Sequence, residues 1–438
     1  MCVCVYVCYF FTIIQIALST TFDAHHDDFD GILTPYIRNG SCVRARSLSR
    51  VDPKNFFGVI SHSGYMTVKD EYDSNIFFWY FPHAKAAERP WIIWLQGGPG
   101  VTSMLGLFGG VGPLKVEDDN TWANDYSLLF IDNPVGAGYS YTRDERGYTT
   151  SQDEIGEQLL EFLLQFLQVF PEVQLAPLYI AGQSYAGKYV PTLGVYVHRY
   201  MRKGGEINLK GISIGNGLID PRNQLGHSEL CSALGLLGDK DVSRLQRIER
   251  EGITFLDEGR MIDAANKFNE SIEFIKAKSG VSIYNFVDDP SSSAPALEKF
   301  VTRPDVRDWL HVGQNDFVFN NQHVYTTMLS DIMNTTRPFV EELLEHYGVL
   351  LYSGQQDLIL PYMLAKRVNA HLQWSRRSEY ENATTKRMRI STNGTVVGYR
   401  RSGGNLVDIL IRKTGHIVPR DQPEVFRFVL NTFVEDFL

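Results

Sequence analysis

Six short runs rich in Ile, Leu, Val and aromatic residues, at Trp91–Leu95, Leu128–Asp132, Leu178–Ala181, Ile212–Ile214, Val349–Tyr352 and Ile409–Ile411, end in turn residues, and helical patterns separate several of them. A strand packed on one face alternates apolar with polar residues, whereas a strand packed on both faces is apolar along its length. The runs are of the second kind, so they predict an α/β fold with a mainly parallel central sheet and helices on both faces. One covering helix follows residue by residue. Ser151 and Glu154 form a capping box, Ile155, Leu159, Phe162, Leu163, Phe166 and Phe170 recur at helical spacing, and Pro171 stops the run.

Between about Arg222 and Lys299 the chain becomes charged and loses its strand-like runs, with helical stretches at Asp239–Glu251 and Met261–Lys278. This reads as a helical insert, or cap, over the core. The expected division is a signal peptide at 1–19, a first part of the core at 20–221, the insert at 222–299 and a second part of the core at 300–438. With 438 residues, 44% of them hydrophobic, the chain has enough apolar material for one large core. Forty-two basic against 51 acidic residues give a net charge of -9, the opposite of a nucleic-acid binder's footprint.

Residues 1–19 carry no charged side chain and end in small residues, Ala17 and Ser19, before Asp and His appear. The run reads as a cleaved secretory signal, and a retained anchor is the competing reading, since about 18 apolar residues suffice to span a bilayer. No other apolar run is that long, so no stable membrane association is expected after cleavage. Asn39, Asn269, Asn334, Asn382 and Asn393 each begin an Asn-x-Ser/Thr triplet, compatible with the secretory pathway. Three of the five cysteines (Cys2, Cys4, Cys8) fall in the leader, which leaves Cys42 and Cys231 either to pair or to remain free thiols. His25, His26, Asp27 and Asp28 have metal-ligand side chains, but their place after a leader reads as a solvated tail rather than a metal site.

The segment Leu178-Tyr-Ile-Ala-Gly-Gln-Ser-Tyr-Ala-Gly-Lys-Tyr-Val-Pro191 has a strand, a sharp turn holding Ser184 and an apolar helix start. Small residues at Gly182 and Ala186 permit the tight turn that thrusts a serine hydroxyl out of a sheet. An ordinary strand-to-helix turn uses the same residue types, so the pattern by itself leaves the role of Ser184 open.

Trp94-Leu-Gln-Gly-Gly-Pro-Gly100, Asp132-Asn-Pro-Val-Gly-Ala-Gly-Tyr-Ser140, Gly182-Gln-Ser-Tyr-Ala-Gly187, Gly215-Asn-Gly-Leu-Ile-Asp220, Val306-Arg-Asp-Trp-Leu-His-Val312 and Gly415-His-Ile-Val-Pro-Arg-Asp-Gln-Pro423 occur in one order. From about Ser63 to its end the chain thereby resembles the serine carboxypeptidases, and within them the vitellogenic carboxypeptidase-like branch. The resemblance implies an α/β-hydrolase core with a helical insert, a secreted or lysosomal exopeptidase acting on the C-termini of peptides or proteins, and no metal or cofactor. It implies Ser184 as nucleophile, Asp357 in Tyr352-Ser-Gly-Gln-Gln-Asp357 as the acid and His416 as the base. A serine hydroxyl is a poor nucleophile until an imidazole takes its proton, and a buried carboxylate fixes the tautomer of that imidazole. The implied oxyanion donors are the amides of Gly98 and Tyr185. Gln96, Gly97 and Gln183 are candidate contacts to the substrate terminus, while Trp94, Asp132 and Asn133 are expected to shape the site.

The sequence also departs from the family pattern. Where the family holds the substrate carboxylate with an Asn before two glycines, a Glu three residues before the Pro of a Gly-Pro pair and a Glu before the nucleophile, this chain has Gln96, Gly110 and Gln183. Val101 stands where many members have a cysteine. The changes are expected to alter recognition of the substrate carboxylate while the triad still works. A secreted binding or scaffold protein on the same fold, and an acyltransferase using the same triad, are the alternatives.

Overall fold

The computed structural model describes residues 29–114, 121–289, 295–391 and 394–438. The leader at 1–19, its three cysteines, the His25–Asp28 cluster and Asn393 lie outside them.

Each of the six apolar runs forms a strand. In chain order the strands are β1 (Arg50–Val51), β2 (Ser61–Lys69), β3 (Ser74–Phe81), β4 (Trp91–Leu95), β5 (Ser127–Ile131), β6 (Leu178–Gln183), β7 (Leu209–Gly215), β8 (Gly348–Gly354), β9 (Lys386–Met388), β10 (Gly398–Gly403) and β11 (Leu406–Ile411). They make one sheet in the order β1-β2-β3-β5-β4-β6-β7-β8-β11-β10-β9. The block β5-β4-β6-β7-β8-β11 is parallel, and antiparallel strands extend it at both edges.

The apolar composition of the parallel strands follows from packing on two faces. Ile93, Leu95, Ile180, Ile212, Ile214 and Leu351 point into a core shared with Leu159, Phe162 and Phe166 of the helix Gln152–Val169 and with Val190 and Leu193 of the helix Ala186–Arg202. Their chain neighbours Ile92, Trp94, Tyr179, Leu350, Tyr352 and Ile409 point to the other side, against Phe426, Val429, Leu430 and Phe433 of the helix Pro423–Phe437. Burying one Leu or Phe side chain contributes roughly 1.5–3 kcal/mol, so this double layer is the main source of stability.

The first helix begins as its cap predicts, with one change. Ser151 Oγ accepts from Glu154 N–H at 3.3 Å, but the Glu154 carboxylate turns to Thr150, taking its N–H at 2.6 Å and its hydroxyl at 3.2 Å. The return bond of a capping box would have gone to Ser151 N–H, and the second donor on Thr150 draws it one residue earlier.

The residues from Arg222 to Lys299 contain the helices Ser228–Ala233, Asp239–Asp257 and Met261–Ser279. Cys231, Leu237, Leu245 and Ile275 form a small core of their own there, which also takes in Leu358. Of the two states open to the remaining cysteines, the free one is found: Cys42 is partly buried and Cys231 buried, without a disulfide. Among the described residues no helix is long and apolar enough to cross a membrane.

Candidate active site

Ser184 sits directly after β6, on the turn into the helix Ala186–Arg202, with φ +64. A non-glycine residue with positive φ is uncommon and strained, and here the surrounding bonds impose it. Ser184 N–H donates to Gly215 O at 2.9 Å, and Ser184 O accepts from Gly187 N–H at 2.9 Å and Leu218 N–H at 3.0 Å. The glycines around it leave no room for a side chain. A Cβ on Gly182 would run into Leu95 O and lie 2.8 Å from Ala186 Cβ, and one on Gly97 would lie 2.5 Å from Tyr185 N and 2.8 Å from Ser184 Cβ. The small residues of the segment are thus a steric requirement of the turn.

Strand register brings the other candidates to the same sheet edge. Leu95 pairs with both Ile131 and Gly182, so Gln96, Asp132 and Gln183 follow at adjacent strand ends. Asp357 lies three residues past the end of β8 and His416 five past β11, and these two strands are parallel neighbours. His416 Nδ1 and Asp357 Oδ2 are 2.7 Å apart, both residues buried. The carboxylate can only accept, so Nδ1 carries the proton and Nε2 is left as the acceptor. Nε2 is buried and has no hydrogen-bond partner among the described residues, Ser184 Oγ included. Ser184 is partly exposed while its neighbours Gln183 and Tyr185 are buried.

Among the described residues, neither Gly98 N–H nor Tyr185 N–H donates to another group of the chain. Gly98 has φ +119, a conformation closed to most side chains, and the space of its missing Cβ is taken by Gly100 N and Val101 N, each at 2.7 Å. Two undirected amides beside Ser184 have the form of the donor pair that an oxyanion requires.

The amide-bearing residues are buried and poorly partnered. Gln96 Oε1 accepts from Trp94 Nε1–H at 3.3 Å. Among the described residues, Gln183 Oε1 and both side-chain polar atoms of Asn133 have no partner. Asp132, by contrast, is fully engaged, accepting from Thr102 Oγ1–H at 2.7 Å, Ser103 N–H at 2.8 Å and Tyr139 N–H at 3.0 Å. Trp94 packs edge-on against Trp122, with centroids 5.6 Å apart. Asp132 thus ties its own loop to Thr102, Ser103 and Tyr139, and Trp94 packs β4 against the short helix Trp122–Asn124. Gly110 has φ +105, and a Cβ there would collide with Pro419 O, three residues past His416.

One contact to the acid was not singled out from the sequence. Asn216, with φ +42, donates from Nδ2 to Asp357 Oδ2 at 2.6 Å and accepts Gly354 N–H at Oδ1 at 3.2 Å. The signal lay in Gly215-Asn-Gly217, where an Asn between glycines is a residue type that tolerates the left-handed region.

A family model described as serine carboxypeptidase matches residues 53–436. The chain is 36% identical over 422 residues to the venom serine carboxypeptidase of Apis mellifera, covering 91% of this chain and 90% of that protein. It is 35% identical over 415 residues to the vitellogenic carboxypeptidase of Aedes aegypti, covering 90% and 87%. It is also 35% identical over 425 residues to the probable serine carboxypeptidase CPVL of Homo sapiens, covering 92% and 89%. Among solved structures, the prohormone-processing carboxypeptidase Kex1(Δ)p of Saccharomyces cerevisiae superposes with a TM-score of 0.79 at 22% identity, over 89% of this chain and 96% of that one, and shares the fold.

Proposed function

The chain belongs to the serine carboxypeptidase family, hydrolases that work through an acyl-enzyme, and on that premise we propose that Ser184, Asp357 and His416 are its catalytic triad. The observation that carries this reading is the 2.7 Å bond from His416 Nδ1 to Asp357, which leaves Nε2 as a partnerless acceptor at the sheet edge where Ser184 emerges. Ser184 Oγ attacks the carbonyl of the last peptide bond and passes its proton to His416 Nε2. The Gly98 and Tyr185 amides receive the oxyanion, and Asp357 stabilises the imidazolium. His416 then protonates the departing amino acid, takes a proton from water, and the hydroxide releases the shortened peptide from Ser184.

We also propose altered recognition of the substrate carboxylate. Gln96 and Gln183 present amides, which donate at any pH, whereas a Glu in such a place donates only when protonated. The unpaired polar atoms of Asn133 and Gln183 support a polar occupant at this strand edge. Gly110 contributes no partner, and losing one hydrogen bond to a charged group costs about 1.5–3 kcal/mol. Preference for a free C-terminus is therefore about one to two orders of magnitude weaker than with a full set of partners, and nearly independent of pH. The division into core parts 20–221 and 300–438 around an insert at 222–299 belongs to the same proposal, as does passage through the secretory pathway to a secreted or lysosomal destination. The leader and the exposed sequons at Asn39, Asn334 and Asn382 support that route.

Two measurements test these readings. An organophosphonate is expected to label the purified protein at Ser184 and to leave Ser184→Ala unlabelled; an unlabelled native protein would favour a binding role. Values of kcat/KM for matched peptides with free and amidated C-termini, taken between about pH 4 and 8, are expected to differ modestly and by a constant factor. A strong preference for the free acid confined to low pH refutes the altered recognition.

A further inference from the structure

Asp357 and His416 stand on two loops beyond the ends of β8 and β11, where strand register no longer fixes position. The loops are tied to each other by Gln355 N–H to Ile411 O and Gln356 N–H to Thr414 O, both at 2.9 Å. A third stretch of chain, remote from both in sequence, is bonded to them as well. Leu358 N–H donates to Ile283 O at 3.0 Å, Phe286 N–H donates to Gln356 O at 2.9 Å, and His416 N–H donates to Tyr284 O at 2.7 Å. The Tyr284 ring lies beside the His416 ring, centroids 5.5 Å apart. Gly415 is where the strap and the base loop meet most closely: a Cβ there would collide with Tyr284 O and lie 2.7 Å from Asn285 Cβ.

This strap, Val281–Asp288, is closed on itself. Ser282 N–H donates to Asp288 O and Asp288 N–H to Asn285 O, both at 3.0 Å, while Asn285 Oδ1 accepts from Val287 N–H at 3.4 Å. It follows directly on the helix Met261–Ser279. A second contact comes from the start of the same region. His227, buried at the N-terminus of the helix Ser228–Ala233, donates from Nε2 to Ile359 O at 2.9 Å, and Ile359 N–H donates to Asp357 Oδ1 at 2.9 Å. Between the two contacts, the side chain of Leu358 is buried in the small core formed by Cys231, Leu237, Leu245 and Ile275. Burial keeps His227 below the ordinary pKa of 6.5, so the ring serves as a neutral donor.

We infer that the helical region positions the acid–base pair through two braces, the His227 side chain on the acid loop and the strap Val281–Asp288 on both loops. The inference rests on the roles given above to Asp357 and His416. Neither brace is bonded to the reacting atoms, the strap meeting His416 through its main-chain N–H and the flank of its ring; both are positioning elements. Their importance follows from the steepness of catalysis with geometry, since a displacement of about 1 Å can cost about a hundredfold in rate.

The test compares His227→Leu with His227→Gln in the full-length protein. Leucine removes the donor to Ile359 O, and the glutamine amide extends a donor to about the place of Nε2. His227→Leu is expected to lower kcat and the rate of organophosphonate labelling of Ser184 by about ten- to a hundredfold, with KM little changed, and His227→Gln to restore most of both. Gly415→Ala is expected to give the same pattern by forcing the strap off the base loop. A folded His227→Leu protein with native kcat, or a glutamine variant as slow as the leucine one, overturns the inference. If these variants do not fold, Asn285→Ala, which frees only the Val287 N–H, carries the test: a kcat lowered severalfold at constant KM supports the brace and an unchanged kcat overturns it. Labelling of the native protein at Ser184 is measured alongside, so that failure of the triad reading shows itself separately.

Discussion

Asn216→Gly measures how much of the activity depends on holding Asp357 in place. The Asp357 side chain is 0% exposed and accepts three hydrogen bonds, from Asn216 Nδ2 at 2.6 Å, His416 Nδ1 at 2.7 Å and Ile359 N–H at 2.9 Å. The first two converge on the same oxygen, so Asn216 fixes the carboxylate rotamer that meets the imidazole. A hydrogen bond to a buried charged group is worth about 1.5–3 kcal/mol. That energy counts most in the transition state, when His416 is an imidazolium and its partner must be aligned and ionised. At about 1.4 kcal/mol per decade, kcat/KM is expected to fall by roughly ten- to a hundredfold. Glycine is the informative replacement because φ at this position is +42, which alanine occupies at a cost of about 1–2 kcal/mol. Asn216→Ala should therefore match Asn216→Gly in kcat/KM but melt at a lower temperature. Asn216→Asp should be slower than either at neutral pH, because two carboxylates in this contact cannot both ionise. Steady-state kinetics on a peptide substrate and thermal unfolding of the three variants decide the matter. A well-folded Asn216→Gly protein with kcat/KM within twofold of the native value refutes the argument.

Reinstalling the family acid by Gly110→Glu should lower the melting temperature by several degrees without producing an acid-dependent preference for free C-termini, since φ is +105 and Pro419 O occupies the Cβ position; a stable variant with such a preference contradicts this. Lys188 is buried with Asp331, its Nζ donating to Asp331 O at 2.5 Å and Asn334 O at 2.6 Å. Burial, against the attraction of Asp331, lowers its pKa to about 8, and Lys188→Met, which removes the counter-charge of the Asp331 carboxylate while leaving its bonds from Gln152 Nε2 and Tyr185 OH, should cost about 3–5 kcal/mol in denaturant unfolding. Burial lowers the pKa of His62 from 6.5 to about 4. Within that window the unfolded chain binds a proton that the folded chain refuses, so stability falls as pH drops from 6.5 towards 4, by at most about 3 kcal/mol. His62→Gln should flatten the acid side of a plot of unfolding free energy against pH, and an unchanged slope argues against it. Burial pushes the Cys231 thiol up to about 12, so a maleimide should modify Cys42 in the native protein and reach Cys231 only after unfolding.

The parallel half of the sheet was legible because both of its faces are covered, which leaves short apolar runs inside β4 through β8 and β11, broken only by a few residues such as Lys210, Ser213 and Asp408. The antiparallel edge was not. β2 reads Ser61-His-Ser-Gly-Tyr-Met-Thr-Val-Lys69, too polar for a buried strand by hydropathy, yet its first seven residues are buried. Its polar side chains are buried because they are paired: Ser61 Oγ accepts from Trp79 Nε1–H at 3.0 Å, Ser63 Oγ–H donates to Leu310 O at 3.0 Å, and Thr67 Oγ1–H donates to Asn75 Oδ1 at 2.7 Å. β3 is apolar enough, but it follows β2 through the short turn Asp70–Tyr72, so a reading built on alternation of strands and helices passes over it. The last strands hide their pattern behind charge: β9, the edge strand, carries the exposed Lys386 and Arg387, where charge blunts pairing with other chains, and β10, paired on both sides, carries the half-buried Arg400 and Arg401.

The candidate site divides along a different line. Ser184, Asp357 and His416, the proposed triad, could be picked out because the role proposed for each needs a particular side chain, which the sequence displays within a motif. The strap reaches the same residues through main-chain bonds: any residue at 283, 284 or 286 other than a backbone-altering one could supply them, and no residue type marks the place. His227 does use its side chain, but its partner is the carbonyl of Ile359, 132 residues away, and a lone histidine in a charged segment carries no sign of that contact. Gly110 lies between these cases. Its identity was visible in the sequence, but the reason for it was not, because the obstacle is Pro419 O from the short helix Val418–Asp421 that follows His416. That helix therefore packs where a side chain at position 110 would have to begin. On the roles proposed here, restoring the family's glutamate means displacing the helix Val418–Asp421 that follows His416, so carboxylate recognition and alignment of His416 are expected to change together in Gly110→Glu.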